Sequence, residues 1–161
     1  MGLSRFDPDY DAELSYWEGD AGTQILKADR PAQPHEQWLR THHWVWSRSR
    51  LQEIVRQHQM AVFVCGIALN IHQVVDLFER IFLLRIDADT QEQRLLAYDA
   101  RNPPGRSEEG RQQIREGRPI FESQMLERGA IALDGTPPTS RVADQLLAFV
   151  VGAPNRGEAA K

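Results

Sequence analysis

The chain has 161 residues, of which 41% are hydrophobic and 26% are charged, and its formal net charge is −4. This length is enough for one compact domain with its own core. The acidic balance argues against a nucleic-acid partner, because nucleic-acid-binding proteins usually carry a basic excess. A single cysteine excludes an internal disulfide and favours a reducing compartment. No segment has the apolar length of a membrane span or of a signal peptide, so we expect no membrane partner and a cytoplasmic location.

The first third of the chain predicts a short strand followed by a long irregular excursion. Leu3–Phe6 reads as a strand that runs into the acidic turn Asp7–Asp11, where Pro8 prevents regular ladder pairing. Residues 12–37 are polar and contain several glycines and prolines, and they predict only a short hairpin around Gly19–Thr23. The tryptophans that follow are expected to anchor an irregular segment to the core; they are Trp38, Trp44 and Trp46.

The middle of the chain carries the strongest strand signal. Ser47 is a plausible N-cap for a helix that presents Leu51 and Ile54 on its buried face. After it, Val62–Cys65 forms a continuous apolar run that Gly66 closes. Such a run is typical of a parallel-sheet strand buried on both faces, and it makes Cys65 an inert core thiol. Ligands of open α/β sheets bind beyond the carboxyl ends of the strands, so the segment after this run lies at a candidate site.

The second half predicts two more strands and three helices. After a short helix or turn over Asn70–Leu77, the strands are Arg80–Ile86 and Ala130–Leu133, and the helices begin near Asp89 or Thr90, near Ser107, and at Thr139 or Ser140. We expect Leu95 and Leu96 on the buried face of the first of these helices. We also expect Pro119 to split or kink the second, or to start a new one.

Three motifs carry possible chemistry, and each has a structural alternative. The carboxylates of Asp7, Asp9 and Asp11 suit a divalent cation or a substrate hydroxyl, but they also suit a simple turn. The arginine-bearing loop Arg101–Ser107 could close over phosphates, while Arg111, Arg115 and Arg118 beyond it could instead pair with the acidic residues Glu108, Glu109 and Glu116 on a solvated helix face. The loop Asp134–Pro138 could pass beside a nucleobase or simply turn the chain.

In this order the motifs resemble the small P-loop kinases of the shikimate-kinase-like and AAA-family ATPase type. The resemblance covers roughly residues 3–150 and is carried by five segments. Phe6–Asp9 resembles the D-x-D after the second strand, and the strand ending in Val64-Cys65-Gly66 resembles the third. Arg80–Ile86 followed by Arg94-Leu95 resembles the fourth strand and the helix leading to the lid, Arg101–Glu109 resembles the lid, and Leu133–Pro138 resembles the last strand and the adenine-side loop. It implies an α/β domain with three layers, a mostly parallel sheet of about four strands and helices on both faces. The domain would span residues 3–151, with 101–107 as a lid-like loop and 152–161 as a flexible tail.

One departure from that family is large. The phosphate-binding loop G-x-x-x-x-G-K-[ST], with the strand before it, occurs nowhere in the sequence. In the family this first strand lies mid-sheet, between the strands that correspond to Val62–Cys65 and Arg80–Ile86. Its loss predicts either a gap of about 10 Å between those strands or their direct pairing. A start placed too late, a degenerate four-stranded relative, or a second chain that supplies a strand or forms a homodimer would each account for it.

The resemblance implies a truncated or degenerate ATP-dependent small-molecule phosphotransferase that is inactive as this chain. The alternative is a non-catalytic domain that binds a nucleotide, another small-molecule ligand or a partner. ATP and Mg²⁺ are implied by the resemblance only, with no cofactor at all as the alternative for this chain. The residues it implies are Asp7 for the metal, Asp9, Gly66 and Asn70 for the acceptor, Arg101 and Arg106 with Asp9 for catalysis, and Arg101, Arg106, Thr136 and Pro137 for the nucleotide.

Overall fold

The structure, a computed structural model, describes residues 4–7, 13–26, 29, 31, 36–58, 61–97, 105 and 107–151. The strands are β1 (Ser4–Phe6), β2 (Ser15–Gly19), β3 (Gln24–Ile25), β4 (His42–Trp46), β5 (Val62–Val64), β6 (Phe82–Arg85) and β7 (Ile131–Asp134), and the helices are α1 (Glu36–Thr41), α2 (Arg48–Gln57), α3 (Ala88–Ala97), α4 (Glu108–Glu127) and α5 (Thr139–Val151). The predicted α/β class is therefore confirmed. The predicted tail at 152–161 lies outside the described residues.

The four predicted strands of the parallel sheet all form, but they are hydrogen-bonded as two separate pairs. β1 pairs in parallel with β5, with Arg5 opposite Phe63. β6 pairs in parallel with β7, with Leu83 opposite Ala132. Within the described residues no bond joins β5 to β6, so neither direct pairing of these strands nor one sheet of about four strands is found.

Within the described residues β5 is paired along one edge only, and it is less buried than predicted. Val62, Phe63 and Val64 are only half-buried, and Cys65 is exposed. The prediction of a strand buried on both faces, with Cys65 in the core, is wrong because, among the described residues of β5, only Val62 and Val64 on one face pack against an apolar cluster. Partial desolvation of the Cys65 sulfur still raises its pKa, so the thiol stays protonated at neutral pH.

A third sheet is antiparallel and occupies the segment that we expected to be irregular. Its strand order is β3-β2-β4, and the predicted hairpin turn lies between β2 and β3, where Gly22 has a φ of 71°. Trp44 lies in β4 directly opposite Trp17, and Trp38 in α1 packs edge-on against Trp17 at 4.8 Å between ring centroids. These tryptophans therefore lie in regular strands and a helix rather than in an irregular segment. Their contacts join segments that are apart in sequence, so the local sequence does not reveal them.

Two apolar clusters form the core. The larger one lies between the antiparallel sheet, α2 and the β1–β5 pair, and consists of Leu14, Trp46, Leu51, Ile54, Ala68 and Val74. The smaller one lies under the β6–β7 pair and consists of Leu83, Met125 and Ala130. Ile71, in the first of two short 3-10 turns at 71–73 and 75–77, packs against both clusters and joins them.

The helix starts follow local capping chemistry. The hydroxyl of Ser47 accepts a hydrogen bond from the N–H of Arg50 at 3.3 Å, and that of Ser107 accepts one from Gly110 at 2.9 Å. The Ser47 cap is as predicted, and Ser107 lies where the sequence predicts the start of a helix. At α3 the capping acceptor is Asp87, whose carboxylate accepts from the N–H of Thr90 at 2.7 Å, so the cap lies earlier than predicted.

Two other helix predictions are wrong in part. Leu96 is 60% exposed rather than buried, whereas Leu95 is half-buried. Pro119 neither splits α4 nor starts a new helix, because α4 runs through it without a break. A proline inside a helix removes one backbone hydrogen bond, and the long amphipathic helix tolerates this loss where Pro119 is exposed to solvent.

No helix in the described part of the chain combines the length and the apolar character needed to cross a membrane.

Candidate functional site

The carboxyl ends of β6 and β7 form the floor of an open depression of about 380 Å³. It is lined by Arg85, Ile86, Asp87, Ala132, Leu133, Asp134 and Thr136. The depression is at the end of a parallel strand pair, where ligands of α/β proteins bind. Thr136, which the sequence assigns to the nucleotide, is part of this lining, and Pro137 follows it in the same loop.

The loop after β7 is held in one shape by backbone bonds. The N–H of Gly135 donates to the carbonyl of Arg85 at 2.8 Å, and the N–H of Thr136 donates to the Asp134 carboxylate at 2.9 Å. A Cβ atom added to Gly135 would lie 3.2 Å from side-chain carbons of both Ile86 and Leu84. The close approach of the β6 and β7 ends therefore favours glycine at this position, because a side chain would need its neighbours to shift by a few tenths of an ångström.

Arg94 braces the same loop from α3. Its guanidinium donates to the carbonyls of Gly135 at 3.0 Å and Thr136 at 3.2 Å. The sequence places Arg94 only on the helix before the lid and does not assign it a site role. An arginine in the last turn of a helix is common, so the sequence contains no signal that could have identified this contact.

Two carboxylates at the depression are already used as hydrogen-bond acceptors. Hydrogen bonds from the backbone and hydroxyl of Thr90 lower the pKa of Asp87, and those from Thr136 lower the pKa of Asp134. Both groups are therefore ionised at neutral pH. They place negative charge at the carboxyl ends of β6 and β7. Asp87 also caps the start of α3, and Asp134 fixes the start of the loop after β7.

The lid-like loop 101–107 lies between α3 and α4. Arg101 and Arg106 lie outside the described residues, whereas Gly105 and Ser107 lie at the start of α4. The carbonyl of Gly105 accepts a bond from Arg111 at 3.3 Å, so α4 holds the end of this loop.

The helices that carry the loop are tied together by ion pairs. Glu92 on α3 accepts from Arg115 at 2.8 Å and lies 3.3 Å from Arg111, and both arginines also contact Glu108. This favours the paired-surface interpretation of the two arginines over contact with phosphates. Among the ion pairs described here, Glu108 is the member that was named from the sequence. Glu92 is distant in sequence, so it could not be identified from helix spacing.

Arg118 has a different role. Its guanidinium donates to the carbonyl of Ile86 at 3.0 Å and lies 3.6 Å from Glu122. Glu122 also accepts from Arg85 at 2.9 Å. These contacts attach α4 to the end of β6 and so support the rim of the depression.

The predicted acceptor and metal residues lie at the end of the other strand pair. Asp7 follows β1 and forms an ion pair with Arg5 at 3.1 Å, while Asp9 lies outside the described residues. Gly66 is exposed just after β5. The amide of Asn70 accepts from the N–H of Trp46 and donates to its carbonyl, both at 2.9 Å.

These contacts separate the predicted site residues into two groups. Asp7 and Gly66 follow the strands of the β1–β5 pair, and Thr136 and Pro137 follow those of the β6–β7 pair. Asp7 alone provides one carboxylate, which is compatible with Mg²⁺ that also binds phosphates and water. Within the described residues no cluster of three or more histidine, cysteine or acidic side chains could hold a metal by itself.

The comparisons with known proteins found nothing: no family model, no curated protein and no solved structure matches the chain.

Proposed function

We propose that this chain is a small-molecule-kinase-like domain that holds the base and lid sides of an ATP site but lacks the phosphate-binding loop, so that it transfers no phosphoryl group by itself. In this proposal the β1–β5 and β6–β7 pairs are the two halves of the central sheet of one three-layer α/β domain. The P-loop-kinase relationship, ATP, Mg²⁺ and a small hydroxylated acceptor are all part of the proposal and rest on the resemblance described above.

The observation that carries the proposal is the braced loop at the end of β7. Arg94 fixes the carbonyls of Gly135 and Thr136 beside an open depression at the carboxyl ends of two parallel strands. Each of these carbonyls has a second lone pair, so the loop can still accept a hydrogen bond from a planar base at a fixed position. The loss of phosphoryl transfer follows from chemistry, because catalysis of this reaction consists almost entirely of positioning and charge neutralisation by the phosphate loop and its lysine.

Calorimetry with ATP and Mg²⁺ on the full chain tests the proposal. We expect measurable binding together with no release of ADP. Arg94→Ala removes two charge-assisted bonds to the loop, so it should weaken binding by about tenfold or more. The matched control is Arg56→Ala, since Arg56 is exposed on α2 and donates to Gln52 of its own helix. Equal binding by both variants, or none by the unmodified chain, contradicts the proposal.

A second candidate is a non-catalytic ligand-binding or interaction domain. The specific observation that favours it is Asn70, whose amide makes two hydrogen bonds with the backbone of Trp46 and is held against that strand rather than directed to an acceptor. The ion pair between Asp7 and Arg5 also favours this second candidate. ATP hydrolysis or transfer by the full chain would exclude this candidate, whereas tight binding of a non-nucleotide ligand would favour it.

A further inference from the structure

We infer that Arg85 contacts a phosphate group of the ligand in the depression at the ends of β6 and β7, and that the depression takes a nucleotide through one phosphate group only. The inference rests on the proposed nucleotide site and deepens it, because it names a residue that recognises the charge of the ligand in a chain without the phosphate-binding loop. The sequence-based assignments do not include Arg85. The inference is carried by the way in which its guanidinium is held.

Glu122 fixes the position of the Arg85 guanidinium. The Nε of Arg85 donates to one carboxylate oxygen of Glu122 at 2.9 Å, and the Glu122 side chain is only 13% exposed. The other oxygen of Glu122 lies 3.6 Å from the Nε of Arg118. Glu122 is therefore held from two sides while it binds Arg85 through Nε alone. A side chain whose position is set by a second, packed side chain is preorganised to contact a ligand.

The terminal nitrogens of Arg85 remain available to a ligand. Within the described part of the chain, neither Nη1 nor Nη2 of this residue makes a hydrogen bond. The side chain is 54% exposed and lines the depression. Each terminal nitrogen carries two N–H groups in the plane of the guanidinium. This fork matches the oxygens of a phosphate group, which it can bind in bidentate fashion.

The other two arginines at this end of the sheet are used differently. Arg94 donates through both terminal nitrogens to carbonyls of the loop after β7. Arg118 donates through Nη1 to the carbonyl of Ile86. Among the described residues that line the depression, Arg85 is the only basic one. An anionic group of a ligand in the depression therefore has Arg85 as its cationic partner there.

The position of Arg85 suits the orientation of a nucleotide in the proposed site. Arg85 is the last residue of β6, whereas Thr136 lies in the loop after β7, and the depression of about 380 Å³ extends to both. This volume is within the range of small-ligand sites. With the base at the loop after β7, the sugar extends across the strand ends and its phosphate reaches Arg85.

Two carboxylates limit the charge that the depression accepts. Asp134 lies directly opposite Arg85 in the register of β6 and β7, and Asp87 is also part of the lining. Arg85 forms its ion pair with Glu122 rather than with either of them. A second or third phosphate would add negative charge near these carboxylates with no further cation among the described lining residues. Affinity is therefore gained from one phosphate group and not from the next.

Calorimetry on the full chain with adenosine, AMP and ATP with Mg²⁺ tests the inference. We expect AMP to bind about tenfold more tightly than adenosine, and ATP to bind at most about threefold more tightly than AMP. Arg85→Gln should bind adenosine normally and lose the preference for AMP, while Arg85→Lys, which keeps the charge but not the fork, should retain part of it. The control is Arg128→Gln, since Arg128 is exposed and donates to Gln124 of its own helix.

Three results overturn the inference: equal binding of AMP and adenosine by the unmodified chain, a larger gain from the additional phosphates of ATP, or an undiminished preference for AMP in Arg85→Gln. Circular dichroism shows whether that variant is folded. If it is not, Arg85→Lys decides, because a full preference in that variant would show that the fork of Arg85 does not contact the phosphate.

Inorganic phosphate separates this outcome from that of the proposed function, because it has no base. In NMR spectra of the arginine side chains we expect it to shift the Nε–H signal of Arg85 and not that of Arg128, relative to sodium chloride at equal ionic strength. Such a shift with no binding of adenosine or ATP would support Arg85 as the phosphate contact and contradict the nucleotide site. Binding of adenosine with no shift would do the reverse.

Discussion

The two parallel strand pairs are alike in topology and different in what stabilises them. The β1–β5 pair packs against the larger apolar cluster, in which Leu14 and Leu51 are fully buried. The β6–β7 pair packs against a cluster of three residues, none of them completely buried. It is also stabilised by the ion pairs of Arg85, Arg115 and their acidic partners.

The difference indicates that one half of the domain supplies most of its stability and the other half carries the candidate site. Apolar burial is the dominant favourable term in folding, so the β1–β5 half supplies most of the stability. The β6–β7 half carries the depression, the braced loop and the helices of the lid-like segment. Exposed ion pairs contribute little and respond to salt, so the half that carries the candidate site is also the half that is easier to perturb.

The largest effect is expected from the two cores themselves. Leu51→Ala leaves a cavity at a fully buried position, and we expect it to lower the free energy of unfolding by about 3 kcal/mol. Met125→Ala, in the smaller cluster, should cost about 2 kcal/mol because the site can collapse more easily. Urea unfolding measures both, with the exposed Leu96→Ala as a control that changes stability by less than about 0.5 kcal/mol. A larger loss in Met125→Ala would reverse the comparison.

An intermediate effect is expected where the β1–β5 half meets the antiparallel sheet. Asn70→Ala leaves the N–H and C=O groups of Trp46 without their partners, which should cost about 1–3 kcal/mol of unfolding free energy. Gln73→Ala is the control, since the Gln73 side chain is exposed in the next turn. Unchanged stability of Asn70→Ala would mean that this amide is available to a ligand after all.

A smaller effect is expected from the ion pairs between α3 and α4. Glu92→Gln removes the charge that Arg111 and Arg115 share, so it should cost about 0.2–1 kcal/mol at low ionic strength and almost nothing near 1 M salt. Glu116→Gln, at a residue that accepts from Gln112 on the same helix, provides the baseline. A loss that is independent of salt would assign Glu92 a packing role instead.

The smallest effect concerns acid sensitivity at the depression. Because the pKa of Asp87 in the folded chain is lowered by Thr90, its contribution to stability is present above the ordinary value of an aspartate, and it is lost as the pH falls through the lowered pKa. Thr90→Val removes the hydroxyl donor and keeps the N–H, so it should raise the pKa of Asp87 part of the way to the ordinary value. Titration of the carboxyl carbon by NMR measures this shift. An identical titration curve in the variant would show that the hydroxyl bond contributes nothing.

The sequence predicts those parts of this fold that depend on local chemistry. The cap at Ser47, the helix start near Ser107, the glycine turn at Gly22 and the four parallel-type strands all follow from residues within a few positions of one another. Pairing is not local. The opposition of Trp17 and Trp44 depends on two segments far apart in sequence, so the local sequence does not identify β4 as a strand.

The candidate site divides in the same way. Thr136 and Pro137 could be placed at a strand end from the sequence alone, because a turn after an apolar strand has a local signature. The bracing of their loop by Arg94, and the pairing of Glu92 with Arg111, cross between elements and leave no periodic signal. The four strands form as predicted, but the described hydrogen bonds join them as two pairs, because strand order depends on backbone partners rather than on the side chains that a sequence displays.

The open edge of β5 has a practical consequence for anyone who handles this protein. Charged residues near an edge strand discourage copies of a chain from joining there. Arg85 ends β6, whereas β5 is bordered by Ala61 and Cys65 and carries no charge of its own. Precipitation from concentrated samples is therefore expected to begin at β5, and a lysine introduced there should raise the solubility limit more than one introduced on β6.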